Sequence, residues 1–411
     1  MAHLAPGIQR KNFYHLVQNT LWMGLASAAT ARFASVYAIR VGATPLELGL
    51  LASMPAIFTM IAATWSGRWI SRYKTTADAM RWPSFGLRLG FPLLFIAPFL
   101  PTDWQPIWVI FSLIVPAIPA GIQNVIFIIM LREAVNPKFL TPLFSRRQMA
   151  WNIGIAISTL TFGLWLERIA FPLNYQIMYF VATGLAVVAW RHLNNVKTLP
   201  TTPAVNDAAQ TAGRVWQSTG FRTVALVAVA IHIGWFAIAP IVPLWLVREF
   251  EAGEAFIALY GIAELISASL IALFTSRIVT RIGNGNMIVG GMVGTTISAC
   301  ILAFAPAAEV TLLAAALGGA SWTASAVGLF GFFSERTTSE ARTTTIYTQI
   351  IALATFFGPL IGSGLANNGV HLGLVLLGGA LLRLIAAAVT WACVHYNFTP
   401  LPALQVARPR N

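Results

Sequence analysis

The chain alternates between long apolar runs and short polar connections. Helical apolar runs of about 18 to 26 residues are long enough to cross a bilayer. Twelve such runs can be placed, approximately at 13–39, 46–70, 83–100, 107–131, 148–167, 174–192, 222–246, 255–275, 287–305, 309–333, 346–366 and 372–394. The pattern predicts an all-α integral membrane protein with twelve transmembrane helices.

The longest polar connection, 193–221, divides six predicted spans from six. Its Thr, Ala and Asn content is typical of a flexible linker and not of a folded domain. We therefore expect an N-terminal six-helix bundle over 1–192, a cytoplasmic linker over 193–221, and a C-terminal six-helix bundle over 222–411 that ends in a short cytoplasmic tail.

Composition supports a membrane protein. Of the 411 residues, 57% are hydrophobic and 9% are charged, whereas soluble domains have about 25% charged residues. The net charge of +13 is spread over short loops between apolar runs, so no nucleic-acid partner is expected. Cys300 and Cys393 lie inside apolar runs without metal-ligand spacing, and we expect no disulfide, metal or cofactor.

The Lys and Arg residues predict the orientation. With a cytoplasmic N-terminus, 21 of the 26 fall on the inside, and two, Arg32 and Arg383, fall within spans. The three on the outside are Arg40, Arg168 and Arg248. This distribution follows the positive-inside rule and predicts that both termini are cytoplasmic.

The two halves of the chain resemble each other, as in transporters built from internal repeats. SGRWISRYK ends the second span and FTSRIVTRIG ends the eighth. A shift of 209 positions aligns Arg68, Ser71 and Arg72 with Arg277, Thr280 and Arg281. The prediction is therefore two pseudo-symmetric bundles.

On this layout and these loops the chain resembles the major facilitator superfamily. The family signature after the second span reads roughly G-x-x-x-D-R-x-G-R-[RK], which Gly67 and Arg72 match. Ser71 replaces the aspartate, and Thr280 stands at the acidic position of the second copy. The resemblance implies alternating access and a cavity lined by spans 1, 4, 7 and 10.

Two carboxylates lie where the signature arginines can reach them. Glu133 ends the fourth span and Glu335 ends the tenth. We hypothesise pairs between Arg72 and Glu133 and between Arg281 and Glu335 that hold the cytoplasmic side closed. The alternative is that all four are solvated charges that contribute almost nothing.

The eleventh span has the sequence Gly358-Pro359-Leu360-Ile361-Gly362. It is similar to a stretch of drug–proton antiporters, where it belongs to the fifth span. Gly358, Pro359 and Gly362 predict a kink with close helix packing at the interface between the halves.

Charged side chains at membrane depth are costly and usually functional. Arg32, His232, Glu264 and Arg383 lie at such depth. Glu264 and His232 are candidates for proton transfer, and Arg32 for binding an anionic group or pairing with Glu264. Structural roles stay open: an ion pair between Glu264 and Arg383, and helix packing for His232.

The remaining pathway candidates are neutral. Gln123 and Asn124 lie in span 4, Trp235 in span 7 and Trp322 in span 10. Aromatic side chains with few polar groups suit an amphipathic organic substrate, although packing against lipid or helices explains each equally well.

Because no hydrolase, metalloprotease or phosphate-loop motif is present, an enzyme is not expected. The sequence favours a monomeric secondary transporter in a prokaryotic inner membrane. Its expected activity is proton-coupled antiport, the efflux of a small amphipathic molecule with protons as coupling ion. The alternatives are uptake of an anionic metabolite and a non-transporting accessory subunit of a membrane complex.

Overall fold

A computed structural model describes residues 4–198, 212–337 and 341–396. All regular secondary structure in these ranges is helical, which satisfies backbone hydrogen bonds within each segment in lipid. Nine helices in the described ranges are long and apolar enough to cross a membrane. The predicted all-α, multi-pass membrane fold is confirmed, and the count of twelve spans stays a prediction.

In the first half, several predicted spans are helices broken by short interruptions. The 3-10 turn Leu87–Leu89, for example, divides the predicted third span. The helices are α1 Pro6–Ala31, α2 Ala34–Arg40, α3 Pro45–Ala63, α4 Ser66–Ile70, α5 Thr76–Gly86, α6 Gly90–Ile96, α7 Gln105–Ala134, α8 Leu140–Arg168 and α9 Leu173–Asn194.

In the second half, the predicted seventh span is also broken, between two helices. The helices are α10 Ala212–Gln217, α11 Thr219–Phe236, α12 Ile241–Glu249, α13 Glu254–Ala303, α14 Ala308–Arg336, α15 Ala341–Asn367 and α16 Leu372–His395.

Helix α13 contains two predicted spans, 255–275 and 287–305. Gly283 between them has φ 80° and ψ 163°, a conformation that glycine adopts at little cost and other residues avoid. The helical trace is therefore broken at Gly283, between the two spans.

Contacts divide the chain into two compact units. The first unit comprises Met1–Ala204 with Val247–Ile262, and the second comprises Val205–Leu246 with Ala263–Asn411. The end of α12 and the start of α13 thus pack with the first unit. Residues 199–211 of the predicted linker lie outside the described residues, and the sequence-based domain bounds stay a prediction.

In the first unit, α1 and α8 contact each other through backbone atoms. A Cβ atom on Gly24 would lie 2.8 Å from the Trp151 carbonyl oxygen, and one on Gly154 would lie 2.7 Å from that of Leu21. Small residues allow this approach in membranes. The pair α1–α8 therefore forms one wall of the unit without intervening side chains.

Each unit has its own apolar core. Leu16, Met80, Ile126 and Met130 are fully buried in a cluster of the first unit. The corresponding cluster of the second unit includes Phe221, Ile231, Met292 and Cys393. These clusters pack the helices of each unit together.

Candidate functional site

A cavity of about 910 Å³ lies within the first unit. It is in the size range of organic-ligand sites, about 300–1,000 Å³. Helices α1, α3, α7 and α8 supply most of its lining. The polar and charged side chains of the lining are Asn19, Thr20, Ser27, Thr30, Thr59, Arg88, Gln123, Asn124, Arg147 and Gln148.

Prolines lie inside two of the helices around this cavity. Pro55 lies inside α3, and Pro116 and Pro119 lie inside α7. Proline lacks the N–H that would satisfy the carbonyl four residues earlier and its ring clashes with that carbonyl. Pro55 and Pro116 belong to the cavity lining, so in both helices a position that lacks a backbone donor borders the cavity.

The guanidinium group of Arg147, on α8, contacts other helices along one edge and over one face. Its Nε donates to Thr20 Oγ1 at 2.8 Å, and its guanidinium carbon lies 4.3 Å from the centroid of the Phe127 ring. Thr20 Oγ1 in turn donates to the Leu16 carbonyl at 3.0 Å. Helices α1 and α7 therefore fix the orientation of an arginine that α8 provides.

Arg88 follows α5 and is 6% exposed. Its Nε donates to the Ala186 carbonyl of α9 at 2.8 Å, and its Nη1 donates to the Ser84 carbonyl. Backbone carbonyls thus stabilise this buried charge.

The amide side chains of the cavity differ in whether they form hydrogen bonds with the protein. Asn19 donates to the Ala189 carbonyl at 2.8 Å, which ties α1 to α9. The Oε1 atom of Gln123 is buried and has no hydrogen-bond partner among the described residues. Gln123 and Asn124, both predicted pathway residues, lie in the cavity lining, and their role in transport stays a prediction.

The sequence analysis did not identify Arg88 and Arg147 as site residues, because it assigned both to the positive charges on the cytoplasmic side of the membrane. One signal was available for Arg88, which lies inside the predicted span 83–100. Arg147 directly precedes the predicted span 148–167.

Arg32 lies at the break between α1 and α2 and packs beside Gly261, where an added Cβ would lie 3.2 Å from Arg32 Nε.

The second unit brings three of the predicted pathway residues together. Trp235 of α11 stacks on Trp322 of α14, with ring centroids 4.6 Å apart and planes 16° apart. His232 meets the edge of Trp322 at 5.5 Å and stacks on Phe236 at 6.1 Å. The group presents an aromatic surface with one titratable ring.

The tautomer of His232 follows from its hydrogen bond. Its Nδ1 lies 2.8 Å from the Ala228 carbonyl oxygen, which accepts only, so Nδ1 carries the proton. In the neutral ring Nε2 is then the acceptor. Among the described residues Nε2 has no hydrogen-bond partner.

Arg383 of α16 is 4% exposed and stabilises the end of α11. It donates to the carbonyls of Gly234, Thr295 and Trp235 at 3.0, 2.9 and 3.3 Å. Its guanidinium carbon also lies 4.7 Å from the Trp235 ring centroid. Carbonyls at the C-terminus of a helix have no partner within it, and a cation there is favourable.

Glu264 of α13 lies against α14. An added Cβ on Gly319 would contact the Glu264 carbonyl oxygen and its Cγ, and Ser267 Oγ donates to that carbonyl at 2.9 Å. Because Gly319 and Trp322 are three residues apart, they share one face of α14. Whether Glu264 transfers protons or pairs with Arg383 stays a prediction.

The signature loops have equivalent local structures in the two units. Ser71 Oγ donates to the Arg68 carbonyl at 3.0 Å, and Thr280 Oγ1 donates to the Arg277 carbonyl at 2.9 Å. Each hydroxyl thus satisfies a carbonyl near a helix end, at the position where the family signature has a carboxylate. Gly67, Arg68, Arg72, Arg277 and Arg281 are exposed.

The two predicted gate carboxylates also occupy equivalent positions. Glu133 accepts a hydrogen bond from Thr76 Oγ1 at 2.5 Å, and Glu335 accepts one from Asn284 Nδ2 at 2.6 Å. Among the described residues, neither carboxylate forms an ion pair with an arginine. Pairing with Arg72 and Arg281 stays a prediction for another conformation.

In α15, Gly358 and Gly362 lie against the end of α11. Added Cβ atoms would contact the Phe236 side chain and the Ala237 carbonyl respectively. Pro359 lies inside α15. Close packing at these positions occurs within the second unit, and a packing role at the interface between halves stays a prediction.

In the part of the chain described here, no three His, Cys, Asp or Glu side chains form a group that could hold a metal ion.

The fold is similar to those of solved membrane transporters. The nucleoside transporter NupG matches with a TM-score of 0.70 and 12% identity, over 94% of this chain and 99% of that chain. A bacterial homolog of the human lysosomal transporter Spinster, inward-facing and occupied, matches with a TM-score of 0.69 and 11% identity, over 95% and 98%. A bacterial homologue of the iron transporter ferroportin, inward-facing, matches with a TM-score of 0.69 and 14% identity, over 93% and 98%.

No family model and no curated protein matches the sequence. The structural likeness nevertheless covers nearly the whole length of both chains. The chain therefore has the fold of a major facilitator superfamily transporter, as the signature loops and the span pattern predicted.

Proposed function

We propose that this protein is a secondary transporter that moves a small organic solute across the membrane by alternating access. The observation that carries the proposal is the cavity of about 910 Å³ in the first unit. Uncommitted polar groups such as Gln123 Oε1 lie there among apolar side chains, as in sites that orient organic ligands.

Ion or solute gradients supply the energy in this proposal. The sequence has no phosphate-binding loop, so transport does not draw on nucleotide hydrolysis by this chain. The inner-membrane location, the monomeric state and the cytoplasmic placement of both termini belong to the same proposal and rest on the sequence.

Proton-coupled export of amphipathic compounds is the more detailed form of the proposal. The stacked Trp235–Trp322 pair suits a flat apolar solute. His232 supports proton coupling, because its Nε2 is an acceptor without a described protein partner. Glu264 is the second candidate for the coupling proton, from its position at membrane depth.

Respiring inside-out vesicles test both the transport function and its coupling to protons. Lipophilic cations, amphipathic drugs and organic anions are added in turn, while a dye follows lumenal pH and labelled solute is measured. We expect lumenal alkalinisation with one class of compound, lost in Glu264→Gln and kept in Glu309→Gln. Glu309 is an exposed carboxylate at the start of α14 and controls for loss of charge alone.

The outcomes separate the competing functions. Solute movement without a pH change would contradict proton coupling and leave transport standing. If no compound moves in the wild type, and Glu264→Gln and Arg32→Gln both retain the cellular function of the protein, the accessory-subunit alternative is favoured.

The gate hypothesis is retained in a conformational form. We propose that Glu133 and Glu335 exchange their present partners, Thr76 and Asn284, for Arg72 and Arg281 when the cytoplasmic side closes. Cysteines at positions 72 and 133 should crosslink with a short thiol reagent in one transport state only. Absence of crosslinking under all conditions would contradict the hypothesis.

A further inference from the structure

We propose that Arg147 is the anion-binding group of the first unit's cavity, and that the solute bound there carries a carboxylate or phosphate group on an apolar body. The inference rests on the proposed transport function and names its substrate class.

The charge of the cavity is the first argument. Its described lining contains two arginines, Arg88 and Arg147, and no aspartate or glutamate. Cations that are removed from water are costly unless an anion or well-placed dipoles compensate them. A ligand that enters this cavity therefore gains most if it supplies negative charge.

The two arginines differ in how many of their N–H donors have acceptors in the protein. Arg88 donates to two backbone carbonyls from Nε and Nη1. Arg147 donates from Nε to Thr20 only, and a guanidinium has five N–H donors. Among the described residues, its two Nη groups have no acceptor. Arg147 is therefore the arginine that is available to a ligand.

The available edge of Arg147 has the geometry that an oxyanion requires. The Nη groups of a guanidinium present parallel N–H bonds that match the two oxygens of a carboxylate or phosphate. Thr20 at Nε and the Phe127 ring against the guanidinium face restrict its rotation. Less conformational entropy is then lost on binding.

The other lining residues indicate an organic anion and not a small inorganic one. Met23, Phe91, Phe127 and Trp151 contribute apolar surface to the lining, and the volume of about 910 Å³ greatly exceeds that of one anionic group. Gln123, whose Oε1 has no described partner, adds an amide for a second polar group of the solute.

Binding to the purified full-length protein in nanodiscs tests the inference. The probes share an aromatic body and differ in charge: phenylacetate, phenyl phosphate, phenylacetamide and phenethylammonium. Dodecyl phosphate is added to distinguish a membrane-derived amphiphile from a water-soluble anion. Calorimetry or quenching of tryptophan fluorescence gives each dissociation constant.

We expect the anions to bind and the amide and the ammonium to bind at least about tenfold more weakly, since a charge-assisted bidentate pair is lost. Arg147→Ala should weaken anion binding by about 10- to 100-fold, and Arg147→Lys by less. Arg146→Ala is the matched control, because Arg146 is the adjacent exposed arginine outside the lining.

Equal binding of phenylacetamide and phenylacetate would overturn the inference, as would unchanged anion affinity in both Arg147 variants. If Arg147→Ala does not fold, Arg147→Lys alone decides between these outcomes. Selective binding of dodecyl phosphate would support the anion site and assign its ligand to the lipid phase, whereas binding of phenyl phosphate assigns it to water.

Flux in proteoliposomes separates this inference from the transport function. Movement of phenethylammonium or phenylacetamide but of neither anion would leave transport intact and remove the anion assignment. Arg147-dependent anion binding with no flux of any probe would keep the binding site and contradict transport.

Discussion

Arg40 Nε and Nη2 donate to the two carboxylate oxygens of Glu254, at 2.9 and 3.2 Å. The Tyr175 hydroxyl donates to Glu254 Oε1 at 3.2 Å. The Glu254 side chain is 9% exposed, whereas that of Arg40 is 37% exposed. This pair connects the end of α2 to the start of α13 within the first unit, so it ties a distant part of the sequence to the N-terminal helices.

Arg40→Gln should lower the stability of the protein, because Glu254 would keep its charge with Tyr175 as its remaining described side-chain donor. Partial exposure of Arg40 reduces the expected loss to about 1–2 kcal/mol. Thermal unfolding in detergent gives the effect, and a double-mutant cycle with Glu254→Gln isolates the coupling. Arg248→Gln, at an exposed arginine of α12, is the control. Additive effects of the two variants would contradict a direct interaction.

Gly121→Ala should disrupt the contact between α3 and α7. An added Cβ would lie against the Thr59 carbonyl oxygen and within 3.0 Å of Ala62 Cβ, so the helices would have to separate. We expect a loss of about 1–3 kcal/mol. Gly184→Ala in α9, where nothing lies within 4 Å of an added Cβ, should be neutral or stabilising. Equal unfolding midpoints for the two variants would exclude this packing argument.

Asn284→Asp should place a second carboxylate beside Glu335, whose Oε1 now accepts a hydrogen bond from Asn284 at 2.6 Å. Two ionised carboxylates repel each other, and a protonated one can donate. The loss of stability should therefore be large at neutral pH and shrink as the pH falls. Unfolding midpoints across pH measure this. Asn367→Asp, at an exposed position at the end of α15, should show little pH dependence relative to wild type.

Arg383→Met should destabilise the second unit by more than about 2 kcal/mol, because the carbonyls of Gly234 and Thr295 lose the hydrogen bonds that the buried guanidinium donates. Arg383→Lys should recover part of this loss. Folded yield and unfolding midpoint are the measurements, and Trp235 fluorescence should change with the loss of the guanidinium over its ring. A wild-type midpoint in Arg383→Met would contradict a structural role, and Arg281→Met controls for loss of an exposed charge.

Most of the fold could be predicted because the thickness and apolar character of the bilayer determine the length and composition of a helix that crosses it. Each predicted span is helical over most of its length, and the two signature loops, with Ser71 and Thr280, have equivalent hydrogen bonds. The helix break at Arg32 could not be predicted, because no proline or glycine lies beside it. The break at Leu87–Leu89 did have a local signal, since Gly86 and Gly90 flank it and Pro92 cannot donate to the Arg88 carbonyl.

The candidate site was predicted less completely. Gln123 and Asn124 stood out as polar residues in an apolar span, and both lie in the cavity lining. Arg147 did not stand out, because a charge count assigns a residue to a membrane side and not to a helix face. Only the structure, which brings distant helices together, shows that the Nη groups of Arg147 have no acceptor among the described residues. It likewise identifies the carbonyl partners of Arg88 and Arg383.

The backbone contact between α1 and α8 at Gly24 and Gly154 provides an internal length standard. No side chain lies between the helices there, so their separation cannot decrease, and an increase would open a void. Spin labels on the outward faces of these two helices should therefore report a constant separation in every transport state. Movements recorded by labels elsewhere can be calibrated against that fixed distance.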